Sequence, residues 1–178
     1  MVVKDSKHKN QFLLIAAPSG ISGIEANVET NHLPNYWEVA WALAVPLLKP
    51  KNATIGLAIN SANVRDQDQL HIHLACLTDE ASNALKGAEG KKVTEHWQYA
   101  RLSLKPQTNL LYDAISVPDL SGHNPFSELF GNKTVLGPPR RMADQTVVVT
   151  PALAAASGYY ILSRPVGSGE ELLIDCPS

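Results

Sequence analysis

The sequence is poor in cysteine: Cys76 and Cys176 are the two in 178 residues. Two are too few for a disulfide scaffold. They either pair with each other or stand as ordinary thiols, and at the level of sequence both remain open. Long apolar runs are missing as well. None approaches the roughly 18 residues a membrane-spanning helix needs, so no transmembrane segment is expected. Lys4, Asp5, Lys7 and Lys9 near the N-terminus have no long apolar stretch behind them, so no signal peptide is visible. Excess positive charge is also lacking. The formal net charge of −2 argues against nucleic acid as a partner. There is no internal repeat and no low-complexity tract. As given, the chain reads as soluble, and as cytoplasmic unless an N-terminal segment has been removed. What is present is ordinary for a globular protein: 44% hydrophobic and 18% charged residues. The length fits one domain, residues 1–178, with a proper core.

Taken in order, Val2-Val-Lys4 and Gln11–Ala17 read as a strand pair joined by a polar turn. Pro18–Gly23 punctuates its end. A helix opens after Asn31–Pro34, with Asn31 or Asn35 as cap. Its apolar stripe runs from Tyr36 through Trp37, Ala40, Trp41 and Ala44 to Leu48, and Pro46 kinks or ends it. Thr54–Ile59 and Asp68–Leu77 read as antiparallel strands, Glu80–Gly87 as a short helix and Trp97–Leu104 as a strand. Asn109–Val117 reads as helix or strand. Asn124 caps a further helix with Pro125 at its first position and Phe126, Leu129 and Phe130 on its apolar side. Pro138-Pro-Arg-Arg141 reads as a solvated loop. Gln145–Thr150 and Gly158–Arg164 read as two strands of a hairpin, and Glu170–Ile174 closes the chain. The class is α+β, an antiparallel sheet with a few helices on one face.

Chemistry concentrates at Leu70-His-Ile-His-Leu-Ala-Cys-Leu77. On a strand, side chains repeat every second residue. His71, His73 and Ala75 therefore share one face, while Leu70, Ile72, Leu74 and Cys76 take the core side. A bare His-x-His is more often a solvated strand face than a site. Here it follows the polar run Arg65-Asp-Gln-Asp-Gln69, which suits the wall of a polar pocket.

With those residues stand others spread along the chain: Lys4-Asp5, Gln11–Ile15, Ile21–Glu25, Tyr36, Ala40-Trp41, Leu57–Ser61, Asn124-Pro-Phe126, Met142, Thr146–Val149, Glu170-Glu171 and Cys176. Together they resemble the CDP-diacylglycerol pyrophosphatase family, a branch of the histidine-triad superfamily. The likeness is weakest from Asp79 to Leu120. It implies a histidine-triad-like α+β fold, often a homodimer, acting on a lipid-nucleotide or other small-molecule substrate. The implied chemistry is attack of a histidine on a nucleotide phosphorus, then hydrolysis of the nucleotidyl-histidine. The nucleophile falls on His73 and an orienting histidine on His71. Asn60 falls on the phosphate-side asparagine, and Gln67 and Asp68 on the polar positions lining the phosphate. The third histidine position is Ala75, so its proton work must come from another group. Residue chemistry agrees: a neutral imidazole is a good nucleophile near pH 7. Asn60, Arg65, Gln67 and Gln69 are donors suited to non-bridging oxygens. No metal and no cofactor are required.

Departures from the family pattern favour a second reading. Asp66 replaces a serine and puts a carboxylate near the expected phosphate, and Asn109–Val117 lacks an expected positive charge. The same histidine pocket would then serve acid/base catalysis, as an isomerase, cyclase or lyase, on a molecule without phosphate. A third reading makes His71 and His73 metal ligands with Asp68, His96 or His123.

Overall fold

The computed structural model describes residues 1–16, 21, 23, 34–105, 110–131 and 142–177. The turn expected at Pro18–Gly20, Asn31 as a cap and the Pro138–Arg141 loop lie outside them. The frame is a nine-stranded sheet, antiparallel throughout. Its strands are β1 (Val2–Lys4), β2 (Phe12–Ile15), β3 (Ile55–Ile59), β4 (His71–Leu77), β5 (Gln98–Lys105), β6 (Leu110–Val117), β7 (Gln145–Pro151), β8 (Tyr159–Pro165) and β9 (Leu173–Ile174). They lie in the order β1-β2-β4-β3-β7-β8-β6-β5, and β9 pairs with β4 beyond the end of β2. Of the ambiguous stretch 109–117, Leu110–Val117 is strand β6, because pairing with β5 and β8 on both edges satisfies its backbone. The strand expected from Asp68 begins only at His71. Asp68 and Gln69 stay outside it, and Gly23 N–H donates to the Asp68 carbonyl.

Among the described residues three α-helices complete the α+β arrangement: α1 (Tyr36–Leu48), α2 (Asp79–Lys86) and α3 (Pro125–Gly131). The period of two sends alternate strand residues to two separate cores. Ile72, Leu74 and Cys76 meet Trp37, Ala40, Ala44 and Leu48 of α1 and Phe126 and Leu129 of α3. On the other face Ala58, Ala75, Leu77, Val148 and Leu162 meet Ala81 and Leu85 of α2. Phe130, expected on the apolar side of α3, is exposed, since that short helix turns it away from the sheet. Trp37 is fully buried, edge-on to Phe126 at 5.3 Å, so the Trp37/Trp41 pair serves packing.

Capping follows the sequence signals. Asn35 accepts from the backbone N–H of Trp37 (3.2 Å) and Glu38 (3.3 Å), and its amide donates to the Leu120 carbonyl. Pro46 is tolerated because α1 ends two residues later at a left-handed Lys49. Asn35→Ala removes both the cap and the tie to the loop before α3. The expected loss is about 1–2 kcal/mol, read as a lower urea midpoint with unchanged slope.

Cys76 and Cys176 are joined, which settles the open choice in favour of pairing. The bond ties the strand carrying the histidines to the C-terminal segment, next to the β4–β9 pairing of Cys76 with Ile174. No described helix is long and apolar enough to cross a membrane.

Candidate active site

β4 is an inner strand, with β2 on one edge and β3 on the other. Its register sets His71 against Ile15, and His73 against both Leu13 and Ala58. The two imidazoles sit edge to face with centroids 5.1 Å apart, and both are buried. They form one wall of a cavity of about 420 Å³, whose other walls include Lys4, Asp5, Lys7, Asn60, Gln67, Ser168 and Glu170. That volume suits a small-molecule site.

Each histidine is held differently. His71 Nδ1 lies 2.8 Å from the Gln69 carbonyl. A carbonyl can only accept, so Nδ1 carries the hydrogen, and the neutral tautomer of this ring is the one with its lone pair on Nε2. His73 Nε2 lies 3.2 Å from Glu170 Oε1, but without the alignment of a hydrogen bond, and neither ring nitrogen has another partner. Burial pushes its pKa down to about 4; Glu170 opposes that shift and His71 adds to it. His73 is therefore a neutral imidazole at physiological pH.

Neutrality has a consequence for stability. An unfolded histidine titrates near 6.5, so between there and about 4 the unfolded chain binds more protons than the folded one. Stability present above pH 6.5 is lost as pH falls towards 4, by at most about 3 kcal/mol from this group. Urea midpoints of the wild type and His73→Gln, compared between pH 7 and 4.5, should show the shallower pH dependence in the variant.

Asn60 closes the site from the end of β3. Its Oδ1 accepts from Gly169 N–H (2.8 Å) and Ser168 Oγ–H (3.1 Å), which fixes the amide so that Nδ2 donates to Glu170 Oε1 at 2.6 Å. Glu170 sits on a 3-10 turn, Gly169–Leu172, capped by Ser168 Oγ. The turn presses against β3, and a side-chain carbon at Gly169 would come within 2.8 Å of Ala58 Cβ, so glycine is needed there. Asn60 Nδ2 and His73 Nε2 thus converge on one anionic oxygen.

The expected site residues are only partly assembled. His71, His73, Asn60 and Gln67 line the cavity; Arg65, Asp68 and Gln69 do not. Arg65 instead pairs with its near neighbour Asp68 (Nη2–Oδ1 3.2 Å), and Gln69 donates to the Ala16 carbonyl at 2.7 Å, bracing the loop into β4. Arg65 meets a sequence neighbour, and Gln69 a carbonyl 53 residues away that the fold brings beside it. Asp66 is not a bare carboxylate. Lys7 Nζ lies 2.8 Å away and holds it below the usual carboxylate range. The ligands considered for a metal are not assembled. Asp68 is exposed to solvent beside a largely buried Arg65, and His96 and His123 line a different cavity of about 570 Å³. Glu170, Ser168, Lys4 and Lys7 were missed as pocket residues. Glu170-Glu171 within the resemblance was the one signal for the first of them.

Fold and site together define an antiparallel α+β protein with a buried histidine pair, His73 held neutral by burial, beside a seat for an anion. The chain belongs to the CDP-diacylglycerol pyrophosphatase family, whose sequence model matches residues 1–172. It is 39% identical over 103 residues to a CDP-diacylglycerol pyrophosphatase of Yersinia pestis, covering 54% of this chain and 39% of that protein. A probable CDP-diacylglycerol pyrophosphatase of Mycobacterium leprae is 32% identical over 114 residues, 61% of this chain and 41% of the relative. One from Mycobacterium tuberculosis is 34% identical over 85 residues, 44% and 32% respectively. The matches span about two-fifths or less of these relatives' own length.

Proposed function

We propose that this chain hydrolyses the pyrophosphate of a CDP-lipid, CDP-diacylglycerol in the first instance, to CMP and phosphatidate, with His73 as nucleophile. The observation that carries this reading is the convergence of Asn60 Nδ2 (2.6 Å) and His73 Nε2 (3.2 Å) on a single carboxylate oxygen. An amide donor already holding a carboxylate oxygen, with a neutral imidazole nitrogen 3.2 Å from that oxygen and making no hydrogen bond to it, is the arrangement a phosphoryl group facing a nucleophile needs. The phosphoryl group would take the place of the Glu170 carboxylate.

His73 attacks the CMP phosphorus. The new P–Nε2 bond forms as the P–O bond to phosphatidate breaks, and water later opens the P–N bond. His71, with its tautomer held by Gln69, orients a phosphate oxygen or passes a proton through Nε2. Lys4 at the wall supplies positive charge for the second phosphate. Its presence weakens the case for a substrate without phosphate, as does the pairing that offsets Asp66 with Lys7. Strand β6 (Leu110–Val117), which carries no positive charge, is separated from β4 by β3, β7 and β8, so its missing cation does not thin this pocket. The disulfide favours an oxidising compartment over the cytoplasm.

A direct test uses short-chain CDP-diacylglycerol in detergent and ¹⁸O-labelled water. Release of CMP carrying the label is expected. Label in phosphatidate would move the attack to the other phosphorus, and an intact substrate with folded protein would sink the reading.

A further inference from the structure

Opening a nucleotidyl–His73 bond needs a group that takes a proton from water. The face that carries His71 and His73 continues to Ala75, which has no titratable group. The groups whose charge bears most on His73 are Glu170, His71, Asp5 and His8; Asp66, a further carboxylate at the cavity wall, also bears on His73 but is bound to Lys7 Nζ at 2.8 Å. Asp5 is buried, and its carboxylate accepts the Lys7 backbone N–H at 2.8 Å. His8 Nδ1 contacts Gln11 at 3.2 Å and lies 3.8 Å from Asp175. His71 presents Nε2 with its ring 5.1 Å from that of His73. Glu170 is the carboxylate in contact with the His73 ring, at 3.2 Å, and it lines the cavity with its side chain one-third exposed.

We propose that Glu170 is the general base for the hydrolytic half of the reaction, an inference that rests on the hydrolase reading above. In the resting site its carboxylate occupies the anion seat. An arriving phosphoryl group takes that seat, held by Asn60 Nδ2, and the carboxylate swings through its own side-chain torsions to the solvent side of the phosphorus. There it accepts a hydrogen bond from the attacking water. The water oxygen bonds to phosphorus, its proton passes to Glu170, the P–Nε2 bond breaks and its electron pair returns to the imidazole. CMP leaves, and Glu170 gives the proton to solvent. The first half-reaction does not need this base, because the leaving phosphatidate departs as a stable anion.

The backbone supports a mobile carboxylate on a fixed stem. Ser168 caps the turn, Gly169 N–H is bound to Asn60, and Thr78 N–H donates to the Leu172 carbonyl at 2.8 Å. The turn is thus tied to the ends of both β3 and β4. The side chain alone is held by one neutral amide and a contact that lacks hydrogen-bond alignment.

The test is rapid-quench kinetics of Glu170→Gln with short-chain CDP-diacylglycerol, following phosphatidate and CMP separately. Glutamine keeps a carbonyl for Asn60 but cannot take the proton. The expected result is a phosphatidate burst matching the enzyme concentration, CMP release slowed about 10²–10³-fold, and CMP found covalently on His73 by mass spectrometry. Glu170→Ala should recover CMP release with added formate, which a purely structural role would not permit. His71→Gln should not accumulate the adduct. The inference is overturned if Glu170→Gln turns over like the wild type, or if burst and turnover fall together in a variant with wild-type melting. In both outcomes the hydrolase reading survives, because the wild type still releases CMP. Wild type that releases no CMP overturns both.

Discussion

His73→Ala is expected to lower CMP release from a CDP-lipid by about 10³-fold or more, while the protein stays folded. The size follows from the role: without the imidazole no nucleotidyl intermediate forms, and the remaining Asn60 and lysine contacts supply binding without a bond-forming partner. The tolerance follows from the environment. His73 is buried with both ring nitrogens lacking hydrogen-bond partners, so its removal relieves an unsatisfied group, worth about 1–3 kcal/mol, against the packing lost in the cavity it leaves. The two offset, and the melting temperature should move by a few degrees at most. His71→Ala should be milder, about 10–100-fold, since it orients or relays and does not form the bond. Steady-state CMP release and adduct trapping on both variants check this. A His73→Ala protein retaining a tenth of wild-type turnover would remove His73 from the nucleophile's place.

The two variants also separate the rings by pH. The nucleophile must be neutral, and burial keeps His73 so down to about pH 4. The acid limb of kcat/KM for the wild type is therefore expected well below the ordinary histidine value near 6.5. An acid limb at 6.5 would point to a solvated imidazole as the reacting base.

How far this site was legible in the chain depended on distance along it. The alternation of Leu70 to Leu77 placed His71 and His73 on one face by local geometry alone, and β4 follows it from His71 on. Asn60 came from the resemblance, and the antiparallel β3–β4 register, with Ala58 opposite His73, brings it to the site. Glu170 reaches Asn60 from 110 residues away, through a 3-10 turn whose position depends on sheet order, and no local pattern encodes that contact. Lys7 belongs to a run that reads as a turn and is one; only the fold sets that turn over the histidines. Arg65 and Gln69 failed in the opposite sense. Their residue types suit phosphate, but Asp68 and the Ala16 carbonyl lie closer. Helix placement shows the same limit. The stripe of α1 was readable, whereas which sheet face a helix covers depends on which alternate residues are left uncovered, and the apolar sets at Ala58, Val148 and Leu162 draw α2 to the histidine-bearing face.

Breaking the Cys76–Cys176 bond is expected to cause a large loss of stability. The bond closes a loop of 100 residues, for which chain entropy alone gives about 4–5 kcal/mol. Cys176→Ala is the cleaner variant, because the remaining Cys76 is fully buried among aliphatic side chains and behaves there as a small hydrophobe. The loss should be thermodynamic more than catalytic. Glu170 lies on the segment between β8 and Cys176, but its turn is also held by Asn60, by the Ser168 cap and by Thr78 N–H to Leu172, while β9 pairs with β4 at Cys76 and Leu77. At low temperature, where the folded state still dominates, Cys176→Ala should keep CMP release within a few-fold of wild type. Its urea midpoint should fall steeply, and dithiothreitol should move the wild type's midpoint to the variant's. If the variant lost turnover while keeping its midpoint, the bond would serve to hold Glu170 against His73, and the three backbone ties would be insufficient for that alone.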